Sequence, residues 1–372
     1  MAGAEGLLCY CRAGFEPELA AELVDKAALG GLPAHARTDR NSGYVVLAGA
    51  DGAALSRALP FDGLVFARQK LRLLADLRAL PPGDRIAPIL DALPLDALAT
   101  HARDGRAPFG MLLVEHPDSD ADKPLAGLAR SFANALRPAL RKAGLLASAD
   151  RPGATRLHAC FVAGDHLLLA ASDPSDSAPW PLGIPRLRLH PEAPSRSALK
   201  LEEALLVLLD APARTHLLQP GMRAADLGAA PGGWTWVLAR HGLQVTAIDN
   251  GPLRPHLFDT GLVEHLRADG FAWRPPRPLD WMVCDMVEQP RRVASRMAEW
   301  LREGWCRQAI FNLKLPMKKR WEETRLCLDL VRTEAGVPMA LSARQLFHDR
   351  EEITVLARPL AGRGHSAGVA GN

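Results

Sequence analysis

The chain has 372 residues, with 45 Lys and Arg against 42 Asp and Glu, and 48% of it is hydrophobic. That length expects two or three domains whose cores need no disulfide or metal, and a charged fraction of 23% argues against wholesale disorder. A net charge of +3 does not mark a nucleic-acid binder, so any basic surface has to be local.

No apolar run reaches the roughly 18–20 residues of a membrane span. The start, Met1-Ala2-Gly3-Ala4-Glu5-Gly6, puts no basic segment ahead of an apolar one, as a secretory signal would. The six cysteines are scattered, with no CxxC pair. They read as buried reduced thiols rather than a metal site, which suits a cytoplasmic protein and, with no coiled-coil pattern, a monomer.

In chain order, residues 7–13 read as a strand, and Leu19, Leu23 and Val24 mark a helix over 16–29. Tyr44 to Leu47 is the next strand, Ala53–Leu59 a short helix and Val65–Leu74 a further strand. These make a mixed α/β unit over 1–75. In a second unit, 76–172, Arg85–Leu93 reads as helix and Met111–Glu115 as strand. Leu125, Leu128, Phe132, Leu136 and Leu140 line one face of a long helix that Pro138 should kink or restart. Leu157–Val162 and His166–Ala171 form a hairpin around Ala163-Gly164-Asp165. The pattern reads as an antiparallel sheet with helices on one side.

Residues 173–195, DPSDSAPWPLGIPRLRLHPEAPS, are a Pro-rich connector that suits an extended, semi-rigid link. From 196 to 358 strand and helix alternate. Strands are expected at Arg223–Leu227, Gln244–Ile248, Trp281–Cys284 and Ala309–Leu313, with two more near 339–345 and 353–356. Helices fall over 199–209, 232–240, 291–301 and 321–334. This is the signature of a Rossmann-like, mainly parallel, doubly wound α/β sheet. The Gly-rich tail 359–372 reads as flexible.

One stretch carries most of the functional information: Asp226-Leu227-Gly228-Ala229-Ala230-Pro231-Gly232-Gly233-Trp234-Thr235. A strand ends, a Gly-rich turn follows and a helix begins. Glycines allow close backbone approach to a ligand, and the helix start offers free N–H groups. Asp249 ends the next strand, where an acid can take ribose hydroxyls. Neither GxGxxG nor a P-loop is present. The string is similar to the cofactor loop of S-adenosylmethionine-dependent methyltransferases, particularly those acting on a ribose 2′-hydroxyl. In that family the position of Asp269 lies beside the adenine; by itself Asp269 is also an ordinary turn residue.

A ribose hydroxyl is a weak nucleophile that must be oriented and must lose its proton. A lysine can take that proton only when neutral, which calls for burial and a neighbouring cation. Asp285 and Lys314 end two putative strands, where parallel-sheet sites lie. Lys200 precedes them, and Glu352 begins the last strand. The order Lys–Asp–Lys–Glu around the Gly-rich loop resembles the tetrad of 2′-O-ribose RNA methyltransferases. The resemblance implies Lys314 as general base, Lys200 and Asp285 as orienting partners and Glu352 as fourth member, with Glu351 as its alternative. The Asn/Asp-Pro-Pro-aromatic motif of base N6 methylases is missing. Cys284, inside an apolar strand, is not placed to act as a cytosine-C5 nucleophile.

The strings SAPWPLGIPRL, APSRSALKLEEA, DLGAAPGGWTWVL, VCDMVEQP and FNLKLPMKKRW resemble the bacterial 23S rRNA cytidine 2′-O-methyltransferases of the RlmM family. That resemblance implies a ferredoxin-like segment over 1–75, a THUMP domain over 76–172 and the catalytic domain over 196–358. It also implies S-adenosylmethionine as cofactor, 23S rRNA as partner and Ser197 at the cofactor site, where Ser197 can equally serve as a helix N-cap. The family often has Cys where this chain has Ala230.

Basic clusters offer RNA contacts: Lys318, Lys319 and Arg320, with Trp321 for stacking, and secondarily Arg291, Arg292 and Arg296, Arg137, Arg141 and Lys142, and Arg186 and Arg188. Any of these can instead be a solvated face. Two rival functions remain open at this stage: a catalytically idle RNA-binding or chaperone protein, and a 2′-O-methyltransferase for another RNA.

Overall fold

A computed structural model describes residues 6–49, 51–93 and 107–360. The flexible-tail expectation for 361–372 falls outside the described residues. The chain divides into two compact units, 1–186 and 187–372.

The first unit is built on one seven-stranded sheet, in the order β2 (His35–Arg37), β3 (Tyr44–Ala48), β1 (Gly6–Tyr10), β4 (Gln69–Leu77), β7 (His166–Ser172), β6 (Arg156–Ala163), β5 (Met111–Glu115). β4 pairs with β1 on one side and β7 on the other, so the sheet runs without a break through both sequence segments. All pairings are antiparallel except β5 with β6, which is parallel. Helix α1 (Glu16–Leu29) buries Leu19, Leu23 and Ala27, one turn apart. The short helices α2 (Gly52–Ala58) and α3 (Ile86–Ala92) follow.

Helix α4 (Leu125–Lys142) buries Ala129, Phe132, Leu136 and Leu140. It runs through Pro138 as a single helix. Pro138 and Asn134, whose carbonyl loses its partner to the proline, both lie on the exposed face, so water can satisfy that carbonyl. The strand expected to start at Val65 starts at Gln69. The N–H groups of Val65 and Phe66 donate to the buried Glu22 carboxylate, at 2.7 and 2.9 Å, instead of to a neighbouring strand.

The connector is not free along its first half. Gln69 holds Ala178 twice, accepting from its N–H at 2.9 Å and donating to its carbonyl at 3.0 Å. Arg156 donates to the same carbonyl at 2.7 Å. Leu182 N–H donates to Glu115 at 2.7 Å, and Asp176 pairs with Lys70. Residues 173–186 are thus strapped to the first sheet.

The second unit carries the other seven-stranded sheet, ordered β10 (Val263–Leu266), β9 (Gln244–Ile248), β8 (Arg223–Leu227), β11 (Leu279–Cys284), β12 (Cys306–Lys314), β14 (Glu352–Pro359), β13 (Met339–Arg344). The first five are parallel, and β14 runs antiparallel between β12 and β13. Helices α5 (Ala198–Leu208), α6 (Ala211–Leu217), α7 (Gly233–Arg240), α8 (Pro290–Arg302) and α9 (Arg320–Glu334) complete it. Leu201 and Leu205 of α5, Trp234 and Leu238 of α7, and Trp281 and Ile310 of the sheet share one core.

Gln69→Ala leaves the buried Ala178 N–H without its acceptor, a cost of roughly 1–3 kcal/mol. The expected outcome is faster cleavage within 173–186 in limited proteolysis, with the second unit's fragment pattern unchanged.

Candidate active site

The Gly-rich turn joins β8 to α7. Gly228 (φ 79°) and Gly232 (φ 110°) adopt left-handed conformations that other residues rarely take. A side chain at Gly228 would also strike Met286. The turn is tied to the end of β9. Gly228 N–H donates to Ile248 O at 3.0 Å, Ala230 N–H to Asp249 Oδ2 at 2.9 Å and Gly251 N–H to Asp249 Oδ1 at 2.7 Å. Asp249, half-buried, is therefore held in place before any ligand arrives.

At the start of α7, Gly232 supplies no capping side chain. A Cβ on Gly233 would collide with the hydroxyls of Ser197 and Ser195, which lie 2.7 Å from each other. Ser197 occupies the N-cap position of α5, yet its side chain makes no cap bond; its carbonyl accepts from Trp234 Nε1 at 3.0 Å. Its N-cap alternative is thus set aside. Asp269 is exposed and accepts from Phe271 N–H at 2.9 Å. Its neighbour Gly270 backs onto Gly228, so this turn adjoins the Gly-rich turn.

Beside this turn four charged side chains form a closed square. Lys200 comes from the first turn of α5, Asp285 follows β11, Lys314 ends β12 and Glu352 begins β14. Each carboxylate gives one oxygen to each lysine. Lys200 Nζ lies 3.2 Å from Asp285 Oδ2 and 2.5 Å from Glu352 Oε1. Lys314 Nζ lies 2.5 Å from Asp285 Oδ1 and contacts Glu352 Oε2. Sheet register sets this up, since Lys314 and Glu352 are direct cross-strand partners. Glu351 points outward and pairs with Arg320 at 2.5 Å, so Glu352 is the carboxylate that meets the lysines.

The comparisons with known proteins bear on all of this. Residues 4–71 match the RlmM ferredoxin-like domain, 84–173 the N-terminal model of ribosomal RNA large subunit methyltransferase M, and 193–311 the FtsJ-like methyltransferase model. Ribosomal RNA large subunit methyltransferase M of Xanthomonas axonopodis pv. citri (strain 306) is 66% identical over 352 residues, covering 95% of this chain and 99% of that protein. Its counterpart in Xanthomonas campestris pv. campestris (strain B100) is 67% identical over the same coverage. The crystal structure of TrmN from Thermus thermophilus aligns with 95% of this chain at 17% identity, with a TM-score of 0.34.

The chain belongs to the ribosomal RNA large subunit methyltransferase M family. As a methyltransferase of this family it uses S-adenosylmethionine, and the site fits that group. Gly228 and Gly232 let the turn take left-handed φ with Met286 and Leu257 packed where a Cβ would stand, Gly232 puts no side chain in front of the first N–H groups of α7, and Asp249 follows the neighbouring strand.

The electrostatics depart from the expectation of a lysine pushed toward neutrality. Burial pulls Lys314 down, but Asp285 and Glu352 push it up and prevail. Lys314 is therefore held as an ammonium. Burial likewise pushes the Asp285 carboxyl up, and Lys314 and Lys200 outweigh it, so Asp285 sits below the usual carboxylate range. Burial pushes the Cys284 thiol to about 12, which makes it inert as a nucleophile.

The basic clusters behave unevenly. Trp321 is only 9% exposed and packs inward, so it offers no stacking face. Arg320 pairs with Glu351, and Lys319 lies 3.3 Å from Glu322. Arg291, Arg292 and Arg296 are taken by Glu323, Glu288 and Glu299. Lys318 is exposed beside the site. Among the described residues no cluster of three His, Cys, Asp or Glu could hold a metal.

Sequence reasoning missed the layer behind the square. Asn312 and Thr354 lie two residues from Lys314 and Glu352, on the same strand faces, and pair with each other in the sheet. Glu203, one turn beyond Lys200, accepts from the N–H groups of Phe347 and His348 at 2.8 and 2.9 Å, which fixes the loop leading into β14. Period-2 and i+3 spacing from the lysines were the available signals.

Asp226, next to the turn, is fully buried. Burial raises its carboxyl from 3.8 to about 7, although Thr235 donates to it at 2.6 Å. A raised folded-state pKa favours the folded chain below the unfolded value and loses that advantage as pH rises through the folded one. Asp226→Asn does not titrate. Its Tm relative to wild type should therefore climb between pH 3.8 and about 7 and level off above, as thermal denaturation across pH would show.

Proposed function

We propose that the second unit methylates a ribose 2′-hydroxyl of a cytidine in 23S rRNA, with Lys314 as the base that takes the hydroxyl proton. The observation that carries this is the lysine–carboxylate square at the carboxyl ends of β11 and β12, beside the Gly-rich turn. Two lysines held by shared carboxylates suit a weak hydroxyl nucleophile. Neither a thiol nucleophile nor an amide-and-proline base site is present at that position.

Ser197, Gly228, Ala230, Pro231, Gly232, Gly233, Asp249, Asp269 and Asp285 would hold the cofactor. Backbone groups of the turn and the start of α7 would lie toward its amino-acid part, Asp249 would take its ribose and Asp269 would lie beside its adenine. S-adenosylmethionine, when bound, supplies a methyl group on a positively charged sulfur, and that charge opposes protonation of Lys314. The chain's own residues do the rest. Asp285 and Glu352 fix the position of Lys314 Nζ. Lys200 balances the two carboxylates, so that neither binds Lys314 alone. Lys314, once neutral, accepts the proton of the 2′-hydroxyl as the oxygen attacks in line. Lys318 and Lys319 offer phosphate contacts, and the first unit holds the RNA. A ribosomal RNA substrate places this work in the cytoplasm.

The test compares wild type with Lys314→Ala, using radiolabelled S-adenosylmethionine and 23S rRNA lacking the modification. Wild type should yield labelled 2′-O-methylcytidine, and Lys314→Ala should be roughly a hundred- to ten-thousandfold slower while still binding cofactor. Lys314→Ala at the wild-type rate would remove Lys314 as the base.

The square also predicts a pH effect. Glu352 is one of the two charges that raise Lys314, so Glu352→Gln lowers its pKa. The rise of kcat with pH should move to lower pH in Glu352→Gln, whatever its maximum. A pH–rate profile with an unmoved limb would contradict Lys314 as the titrating base.

A further inference from the structure

Behind the square lies a second set of polar side chains, and all are sealed from solvent. Asn312, Thr354 and Asp349 are each 0% exposed. Asn312 Nδ2 donates to Asp285 Oδ1 at 2.9 Å. Thr354 Oγ1 lies 2.8 Å from Asn312 Oδ1, and 3.2 and 3.0 Å from the two oxygens of Asp349. Leu346 N–H donates to Asp349 Oδ2 at 3.0 Å.

The hydrogens along this chain can be counted. Asp285, ionised between two lysines, offers only acceptors, so the nitrogen of the Asn312 amide must face it. The Asn312 oxygen then faces Thr354 and takes its single hydroxyl hydrogen. The contact between Thr354 and Asp349 still needs a hydrogen, and only the Asp349 carboxyl can provide it. Burial first, then the charge of Glu352, pushes that carboxyl well above its ordinary value, the direction that a proton on it requires.

We propose that Asn312 is a positioning residue for the methyl transfer, held by Thr354 and a protonated Asp349 in the one orientation that donates to Asp285. Asp285 Oδ1 then receives Asn312 and Lys314 together. The carboxylate cannot rotate away, and Lys314 Nζ stays at the mouth of the site. Asn312 touches no substrate and acts through Asp285. The inference rests on the methyl-transfer reading above.

The test uses the full-length protein, radiolabelled S-adenosylmethionine and unmodified 23S rRNA, and reads kcat, the KM for cofactor and the pH profile. Asn312→Ala should lower kcat roughly ten- to a hundredfold, the loss of one hydrogen bond to a charged group, with the KM for cofactor little changed. Asn312→Asp keeps the shape but sets a second carboxyl against Asp285. Its rate relative to wild type should recover as pH falls from about 8 to about 6, because the protonated form donates again. Asp349→Ala should lower kcat in the same way, and Asp349→Asn, which can present the same donor to Thr354, should restore most of the loss.

Asn312→Asp at the wild-type rate across pH would overturn the positioning role. Asp349→Asn as impaired as Asp349→Ala would overturn the protonated inner end. Wild-type protein that labels no ribosomal RNA would instead defeat the functional reading on which the inference stands.

Discussion

Two ammonium groups can share a small cleft only if negative charge separates them. At about 4 Å and an effective dielectric near 20, like charges repel by about 4 kcal/mol. The square meets that constraint by alternation: Lys200, Asp285, Lys314, Glu352, each carboxylate bridging both lysines. Much of the second unit's architecture serves it. A purely parallel sheet would bring only carboxyl ends of strands to this edge. β14 runs antiparallel beside β12, so its first residue meets the last residue of β12, and an acid at that position pairs with Lys314. The reversed strand is what closes the square.

The same constraint explains the layer behind. A carboxylate shared by two lysines has its outward side committed, and its inner side must be satisfied without water. Asn312 does this from the strand that carries Lys314, and Thr354 supports it from the strand that carries Glu352. Glu203 ties the loop entering β14 to the helix that carries Lys200. Elements distant in sequence are thus locked to one another by side chains two or three residues from the charged four.

Much of this was legible in the sequence because it follows local periodicity. Strand–helix alternation pointed to the doubly wound sheet, and the Gly-rich string marked the turn between β8 and α7. The charged residues at strand ends fell where parallel sheets place their sites. What escaped depends on tertiary partners. Nothing local says that Glu22 will capture the N–H groups of Val65 and Phe66 and delay β4. Nothing near Trp321 says that it turns inward, or that Arg291, Arg292 and Arg296 each find an acid. Pro138 does not restart the helix, because it and Asn134 lie on the exposed face, a property of the packed helix rather than of the local sequence. The connector's composition suits a semi-rigid link, yet Gln69 and Glu115 hold its first half from far upstream.

The remaining tension lies in Lys314 itself. The two carboxylates that place it also keep it protonated, and a protonated lysine cannot accept a proton. Weakening them would lower its pKa and leave more of it neutral, but would let its long side chain wander, because four rotatable bonds leave it ordered only by what it contacts. The geometry resolves this in favour of placement. For the proposed base, what has to change is the charge balance of the cleft, since an added positive charge nearby lowers a lysine's pKa. A site of two positive and two negative charges carries no net charge of its own to oppose such an addition, and that is the physical sense of building it as a closed, neutral square.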